Sequence, residues 1–153
     1  TDKKKVNINA LIDESVEITT PAAISRQITI SKEILGTLPD VNGDNDMLRR
    51  VVVNLLENAI KFSPMRSGVL VAAKQSGKDI TVWVEDHGPG IPADQKERIF
   101  TKFIRLHSEG TTKGFGIGLA FCRLAIQAHG GTIWVENTEE GGSRFLFTLP
   151  TTG

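Results

Sequence analysis

From Asp44 to Phe62 the chain reads DNDMLRRVVVNLLENAIKF, with no glycine or proline. Its apolar residues recur at helical spacing. Projected at roughly 100° per residue, Leu48, Val51, Val52, Leu55, Leu56, Ala59 and Phe62 share one broad face. Asp44, Asn45 and Asp46 supply N-cap groups and negative charge at the positive end of this helix, and Ser63-Pro64 stops it. Asn54, Asn58 and Lys61 fall on a narrow strip at the edge of the apolar face.

The remaining pattern predicts elements around this helix. Val6 to Asn9 is a short strand candidate, and Asn9 can cap a helix from Ala10 to about Ala23. The apolar pattern of that helix (Leu11, Ile12, Val16, Ile18) is imperfect, and Thr19-Thr20-Pro21 offers it an earlier end. Gln27 to Ser31 alternates as a strand does, and Leu38 to Gly43 is rich in turn residues. Val69 to Gln75 and Ile80 to Glu85, joined by Ser76-Gly77-Lys78-Asp79, predict an antiparallel hairpin. Ile80, Val82 and Val84 face one way in it, and Thr81, Trp83 and Glu85 the other. Asp86-His87-Gly88-Pro89-Gly90-Ile91-Pro92 is a tight turn at a strand end, followed by a short polar helix from Ala93 to Ile99. A loop from Phe100 to Lys113 leads to Gly114-Phe115-Gly116-Ile117-Gly118-Leu119, which opens a helix running to about Ala128, ended by Gly130-Gly131. Thr132 to Asn137 and Ser143 to Leu149 form a second hairpin.

Three longer helices beside two hairpins predict an α/β two-layer sandwich. Its sheet is mixed but largely antiparallel, with the helices on one face. The other face is then less covered, and Trp83, Trp134 and Glu136 are expected there. At 153 residues the chain suits one domain, residues 1–153.

Charge narrows the partners. Eighteen basic side chains balance eighteen acidic ones, so no global field favours nucleic acid or a membrane surface, and a phosphate ligand has to be met locally. No apolar run is long enough to span a bilayer and no signal peptide is visible. With Cys122 the single cysteine, no disulfide can form within the chain, which is compatible with a cytoplasmic setting. Its apolar helical context makes it a small core residue.

Taken singly, the candidate chemical groups are ambiguous. Amide oxygens can ligate a hard cation such as Mg²⁺ and an ammonium can meet phosphate, yet the strip could equally be the surface of a structural helix. Gly88-Pro89-Gly90 follows a strand but lacks the third glycine of a dinucleotide fingerprint. Gly114-x-Gly116-x-Gly118 precedes a helix whose free N–H groups can hold phosphate, but a polar loop precedes it. No P-loop spacing is present.

Taken in order, four segments are specific. Asn54-Leu-Leu-Glu-Asn58-Ala-Ile-Lys61-Phe62, Asp86-His-Gly88-Pro-Gly90, Ile99-Phe100-Thr-Lys-Phe103-Ile-Arg105 and Gly114-Phe-Gly116-Ile-Gly118-Leu119 resemble the N, G1, F and G2 boxes of sensor histidine kinases. The likeness extends over nearly the whole chain and looks like the catalytic and ATP-binding domain, whose fold is shared with gyrase, Hsp90 and MutL.

The resemblance implies ATP and Mg²⁺ as cofactors, with Asn58 as the metal ligand and Asn54 lining the same pocket. It implies that Lys61 contacts phosphate, that Phe62 packs near the nucleoside and that Arg105 reaches the γ-phosphate. Asp86 would accept from the adenine 6-amino group, with Gly88 and Gly90 giving backbone access to the base and Ile91 beside them. Gly114, Phe115, Gly116, Ile117, Gly118 and Leu119 would line the phosphates, and residues 104–113 would form a lid anchored by Phe100 and Phe103.

In the ATPases of this fold a glutamate stands four residues before the metal-binding asparagine and activates water. Asn54 holds that position here and cannot act as a base. Glu57 is turned away from the strip by the helix. The expected chemistry is therefore phosphoryl transfer to a supplied nucleophile, by positioning and charge.

That nucleophile would be a histidine on a separate dimerisation and phosphoacceptor domain, from which a response regulator receives phosphate. None of His87, His107 and His129 has the family's acidic residue after it. The phosphoacceptor helices and any sensor are expected before Thr1, in a parent that could be membrane-anchored, while this domain touches neither membrane nor nucleic acid. The rival classes are an ATP-binding regulatory module without transfer activity, and a protein-serine kinase or anti-sigma switch of the same fold.

Overall fold

The computed structural model describes residues 4–101 and 117–151. The order is β1 (Lys4–Val6), α1 (Ile8–Ser25), β2 (Thr29–Leu35), β3 (Val41–Gly43), α2 (Asn45–Phe62), β4 (Gly68–Ser76) and β5 (Asp79–Glu85), then two 3₁₀ turns (Ala93–Gln95 and Arg98–Phe100), then α3 (Ile117–Ala128), β6 (Ile133–Asn137) and β7 (Ser143–Pro150).

The central helix follows its sequence closely. Asp44 is the N-cap of α2, its carboxylate accepting from the Met47 N–H at 3.1 Å. Leu48, Val51, Val52, Leu55, Leu56 and Ala59 are all buried, and Phe62 is half-buried. The cap of α1 is Asn7, not Asn9, through a side-chain bond from the Ala10 N–H at 2.9 Å, so β1 ends at Val6 and the helix starts two residues before Ala10.

Thr19-Thr20-Pro21 does not end α1. The helix continues to Ser25 because Ile8, Leu11, Ile12, Ser15, Thr19 and Ala23 form one buried face. Ser15, Thr19 and Thr20 hydroxyls donate to carbonyls one turn back, so the polar side chains on this helix satisfy themselves locally. It closes with Gln27 at φ 60°, the Gln27 and Ile28 N–H groups donating to Ile24 and Ala23 carbonyls, a Schellman end with glutamine where glycine is usual.

Two sheets form. β1 and β3 pair antiparallel, so part of the turn-rich Leu38–Gly43 segment is a strand. The main sheet has the order β2-β4-β5-β7-β6. β2 runs parallel to β4, with α2 in the connection, and every other neighbouring pair is antiparallel. β2 continues to Leu35, past the predicted Ser31, in register with β4 from Thr29↔Gly68 to Leu35↔Lys74.

The three helices cover one face of this mixed sheet, an α/β two-layer sandwich. Val71, Ile80, Val82, Val84, Phe147 and Leu149 form the sheet side of the core. On the other face, cross-strand registers bring Trp83 beside Leu146 and Leu146 beside Trp134. Arg144 bridges Glu85 and Glu136 there, and the Trp134 indole donates to Glu136. Among the described residues no helix is long and apolar enough to cross a membrane.

Candidate nucleotide-binding site

Three elements converge beside α2. Its strip faces α3: the Asn54 amide donates to the Gly118 carbonyl at 3.4 Å. One turn along, the Cys122 thiol approaches the Val51 carbonyl at 3.7 Å. Burial pushes that thiol up to about 12, so it is a neutral core group, as its sequence context indicates. The Arg50 guanidinium lies 4.5 Å from the centroid of the Phe121 ring.

Asn58 sits on the same strip but deeper. It is 6% exposed, and its Nδ2 is buried with no hydrogen-bond partner among the described residues. Such an orphan is costly unless a ligand satisfies it. Lys61 is exposed, its ammonium 5.9 Å from the Phe62 ring centroid.

The end of α2 is held from outside. Arg26, the C-cap of α1, donates to the Ile60 carbonyl at 2.9 Å and the Ser63 carbonyl at 2.6 Å. The Ser63 hydroxyl accepts the His87 N–H at 3.1 Å, and His87 Nδ1 donates to the Gly68 carbonyl at 2.7 Å. His87 thus ties the loop after β5 to the start of β4.

Asp86 directly follows β5 and is 7% exposed. The Gly88 N–H (2.9 Å) and Ser143 N–H (3.1 Å) both donate to Oδ1, leaving Oδ2 without a donor among the described residues. Burial raises the Asp86 carboxyl above its usual range, against the lowering effect of the two backbone donors and of His87. The turn glycines have structural reasons of their own. A Cβ on Gly88 would lie 2.8 Å from the Phe62 carbonyl oxygen, and Gly90 has φ 80° with the Gly141 carbonyl 2.7 Å from where a Cβ would stand.

Between these elements lies a cleft of ≈ 560 Å³. Asn58, Phe62, Asp86, Gly90 and Ile91 line it, so five of the predicted residues come together. Gly118 opens α3 beside Asn54, with only ordinary contact, 3.7 Å, awaiting an added Cβ. The side chain of Leu119 is wholly buried in the core. Arg105, Gly114, Phe115, Gly116, Phe103, His107 and the 104–113 segment lie outside the described residues, as does the side chain of Ile117. Phe100 is buried and meets Phe145 edge-on at 6.1 Å.

The sequence reading missed Asn137, Ser143 and Phe145, which also line the cleft. All three belong to the second hairpin, whose strands were legible. Their position against the Asp86 loop depends on β7 pairing with β5, which no local pattern encodes.

Residues 43–153 match the family described as histidine kinase-, DNA gyrase B- and HSP90-like ATPase. The adaptive-response sensory kinase SasA of Synechocystis sp. is 40% identical over 141 residues, 92% of this chain and 37% of its own length. The chain therefore spans under two-fifths of that relative. The nucleotide-free catalytic domain of the histidine kinase ThkA superposes with TM-score 0.88 at 30% identity, covering 99% of this chain and 97% of its own. Full-length ShkA in complex with AMPPNP gives TM-score 0.85 at 29% identity, over 97% of this chain and 31% of its own. With four ordered motifs, two of which meet at the cleft, and the sandwich, the chain belongs to the histidine kinase-, DNA gyrase B- and HSP90-like ATPase family, as the ATP-binding catalytic domain of a sensor histidine kinase.

Proposed function

We propose that this domain binds Mg²⁺–ATP in the cleft and passes the γ-phosphate to a histidine on a separate phosphoacceptor domain, from which a response regulator takes it. The observation that carries this reading is the pair of buried groups with unused capacity in one cleft. Among the described residues Asn58 Nδ2 lacks a partner, and Asp86 Oδ2 has no donor while Oδ1 holds the loop.

Asp86 Oδ2 suits a donor such as the adenine 6-amino group, with Phe62 and Ile91 as apolar walls. The Asn58 Nδ2 donor suits an acceptor such as a phosphate oxygen or a metal-bound water, and its Oδ1 is the atom that would hold Mg²⁺, which keeps several waters and few protein ligands. Among the described residues no group of three His, Cys, Asp or Glu could cage a metal. The bound ion would supply charge neutralisation on the phosphate oxygens. Asn54 lies beside the N-terminus of α3, whose backbone N–H groups favour anions. Lys61, Arg105 and the glycines at 114, 116 and 118 are assigned to the phosphates in the same reading. An asparagine at 54 offers no base for water, which supports transfer over hydrolysis.

The binding of AMPPNP by ShkA and the complex of ThkA with its response regulator TrrA support the ligand and the partner class. The test has two steps. ATP with Mg²⁺ should raise the melting temperature of the chain. Mixing it with a histidine-bearing helical hairpin and radiolabelled ATP should then yield acid-labile phosphate on the hairpin. Failure of every adenine nucleotide to shift the melting temperature overturns the site. Binding without transfer to any such hairpin overturns the kinase reading.

A further inference from the structure

The segment from Asp86 to Ile91 carries the group proposed to read the base, yet it has no regular structure of its own. Both its ends are fastened to one cross-strand pair of the second hairpin. Asn137 and Ser143 face each other in the β6–β7 register. Ser143 holds the first end: its N–H donates to Asp86 Oδ1 at 3.1 Å, and its carbonyl accepts the Asp86 N–H at 2.9 Å.

Asn137 holds the second end. Its Oδ1 accepts the Ile91 N–H at 2.9 Å, and its Nδ2 donates to the Ile91 carbonyl at 3.1 Å. The side-chain amide thus pairs with both main-chain groups of one residue, as a neighbouring strand would. Both its polar atoms are engaged by Ile91, and the role assigned to it here is that tie.

The hairpin that presents this pair is itself stiff. The Thr138 N–H donates to the Gly142 carbonyl and the Gly141 N–H to the Thr138 carbonyl, while the Thr138 hydroxyl accepts the Gly142 N–H. The fit to the loop is close. A Cβ on Gly142 would fall 2.1 Å from the Asp86 carbonyl oxygen.

We infer that Asn137 is a positioning residue for base recognition: by pinning Ile91, it fixes the path of the Asp86–Ile91 segment and hence the aim of the Asp86 carboxylate. This rests on the Mg²⁺–ATP reading of the cleft. Ser143 and the His87 ties to Ser63 and Gly68 hold the first part of this six-residue loop, and Asn137 holds its Ile91 end. Clamping both ends sets the carboxylate against the floor of the cleft, where orientation decides discrimination.

The test compares affinities for ATP and for purine riboside triphosphate, which lacks the 6-amino group, in the wild type, Asn137→Ala and Asn137→Asp. The wild type should favour ATP. Asn137→Ala should weaken ATP binding on the order of tenfold, from the loss of two hydrogen bonds, and bring the ratio of the two nucleotides towards one. Asn137→Asp keeps an acceptor for the Ile91 N–H but turns a carboxylate oxygen to its carbonyl, and should fall between.

Variants that melt lower but keep the wild-type ratio overturn the inference, since a purely structural residue would behave that way. If Asn137→Ala does not fold, an unchanged ratio in Asn137→Asp overturns it equally. A wild type that binds ATP no better than the analogue overturns the reading of Asp86 itself, a distinguishable failure.

Discussion

His129, at the end of α3, accepts the backbone N–H of Asp44, the N-cap of α2, on Nε2 at 3.0 Å. Its Nδ1 lies 2.7 Å from the Ala125 carbonyl, an oxygen that can only accept, so Nδ1 carries the proton and Nε2 is bare. One neutral tautomer thus joins the finish of one helix to the start of the other. α2 carries Asn54 and Asn58, and α3 begins at the proposed phosphate end.

Replacing this ring leaves a half-buried N–H without its partner. His129→Ala should cost about 1–3 kcal/mol of stability, read as a lower urea midpoint with an unchanged slope. A midpoint equal to the wild type would show that the tie contributes nothing. Buried at 7% exposure with both nitrogens engaged, His129 is also a poor phosphate acceptor.

Asn58 predicts a trade between stability and binding. Its amide nitrogen, buried with no partner among the described residues, costs about 1–3 kcal/mol, and Leu keeps the same branched outline without polar atoms. Asn58→Leu should raise the melting temperature of the free domain by a few degrees, roughly 2–8 °C per kcal/mol, and abolish the Mg²⁺–ATP shift. A variant that still shows the full shift would remove Asn58 from the site.

Asp86 predicts a pH dependence with a definite sign. Burial raises its folded pKa above the ordinary 3.8, so the folded state binds the proton more tightly than the unfolded chain. Its contribution to stability therefore falls as pH rises from about 3.8 through the higher folded value. Asp86→Asn retains an oxygen for the Gly88 and Ser143 N–H groups but has no such fall. Urea titrations across the acid range should show the variant gaining on the wild type through that window and running parallel above it. A pH-independent difference would refute the assignment. The same variant should lose an ATP-over-GTP preference of at least about tenfold, since an unpaired buried acceptor costs about 1–3 kcal/mol.

Gln27 predicts a gain. It occupies left-handed backbone at φ 60° where α1 closes, its side-chain oxygen accepting from exposed Arg66. The left-handed conformation costs a non-glycine residue roughly 1–2 kcal/mol, more than an exposed side-chain bond returns. Gln27→Gly should therefore raise stability by about 1 kcal/mol in thermal or urea unfolding, and a loss would show that the Arg66 contact dominates.

The α2 helix, both main hairpins and the sandwich were legible because they rest on local periodicity and on turns such as Gly77-Lys78. The buried faces of α2 and β5 follow the alternation of their residues. Asn58, Phe62, Asp86 and Ile91 could be named as one site because ordered motifs carry them, although their meeting is tertiary. Boundaries failed where a longer-range force outweighed a local signal. α1 runs through Pro21 because its buried face continues to Ala23, and β2 extends to Leu35 because β4 offers it a paired edge.

What the sequence determined by itself was which groups are on offer: two amides and an ammonium on one helical strip, and a carboxylate at the end of an apolar strand. Only the tertiary structure decided how that carboxylate is held. The pairing of β5 with β7 brings Ser143 to Asp86 across 57 residues, and the pairing of β6 with β7 sets Asn137 against Ile91. Hydrogen bonds between segments so far apart leave no periodicity in the chain, because they depend on strand order, which packing of the whole sheet selects.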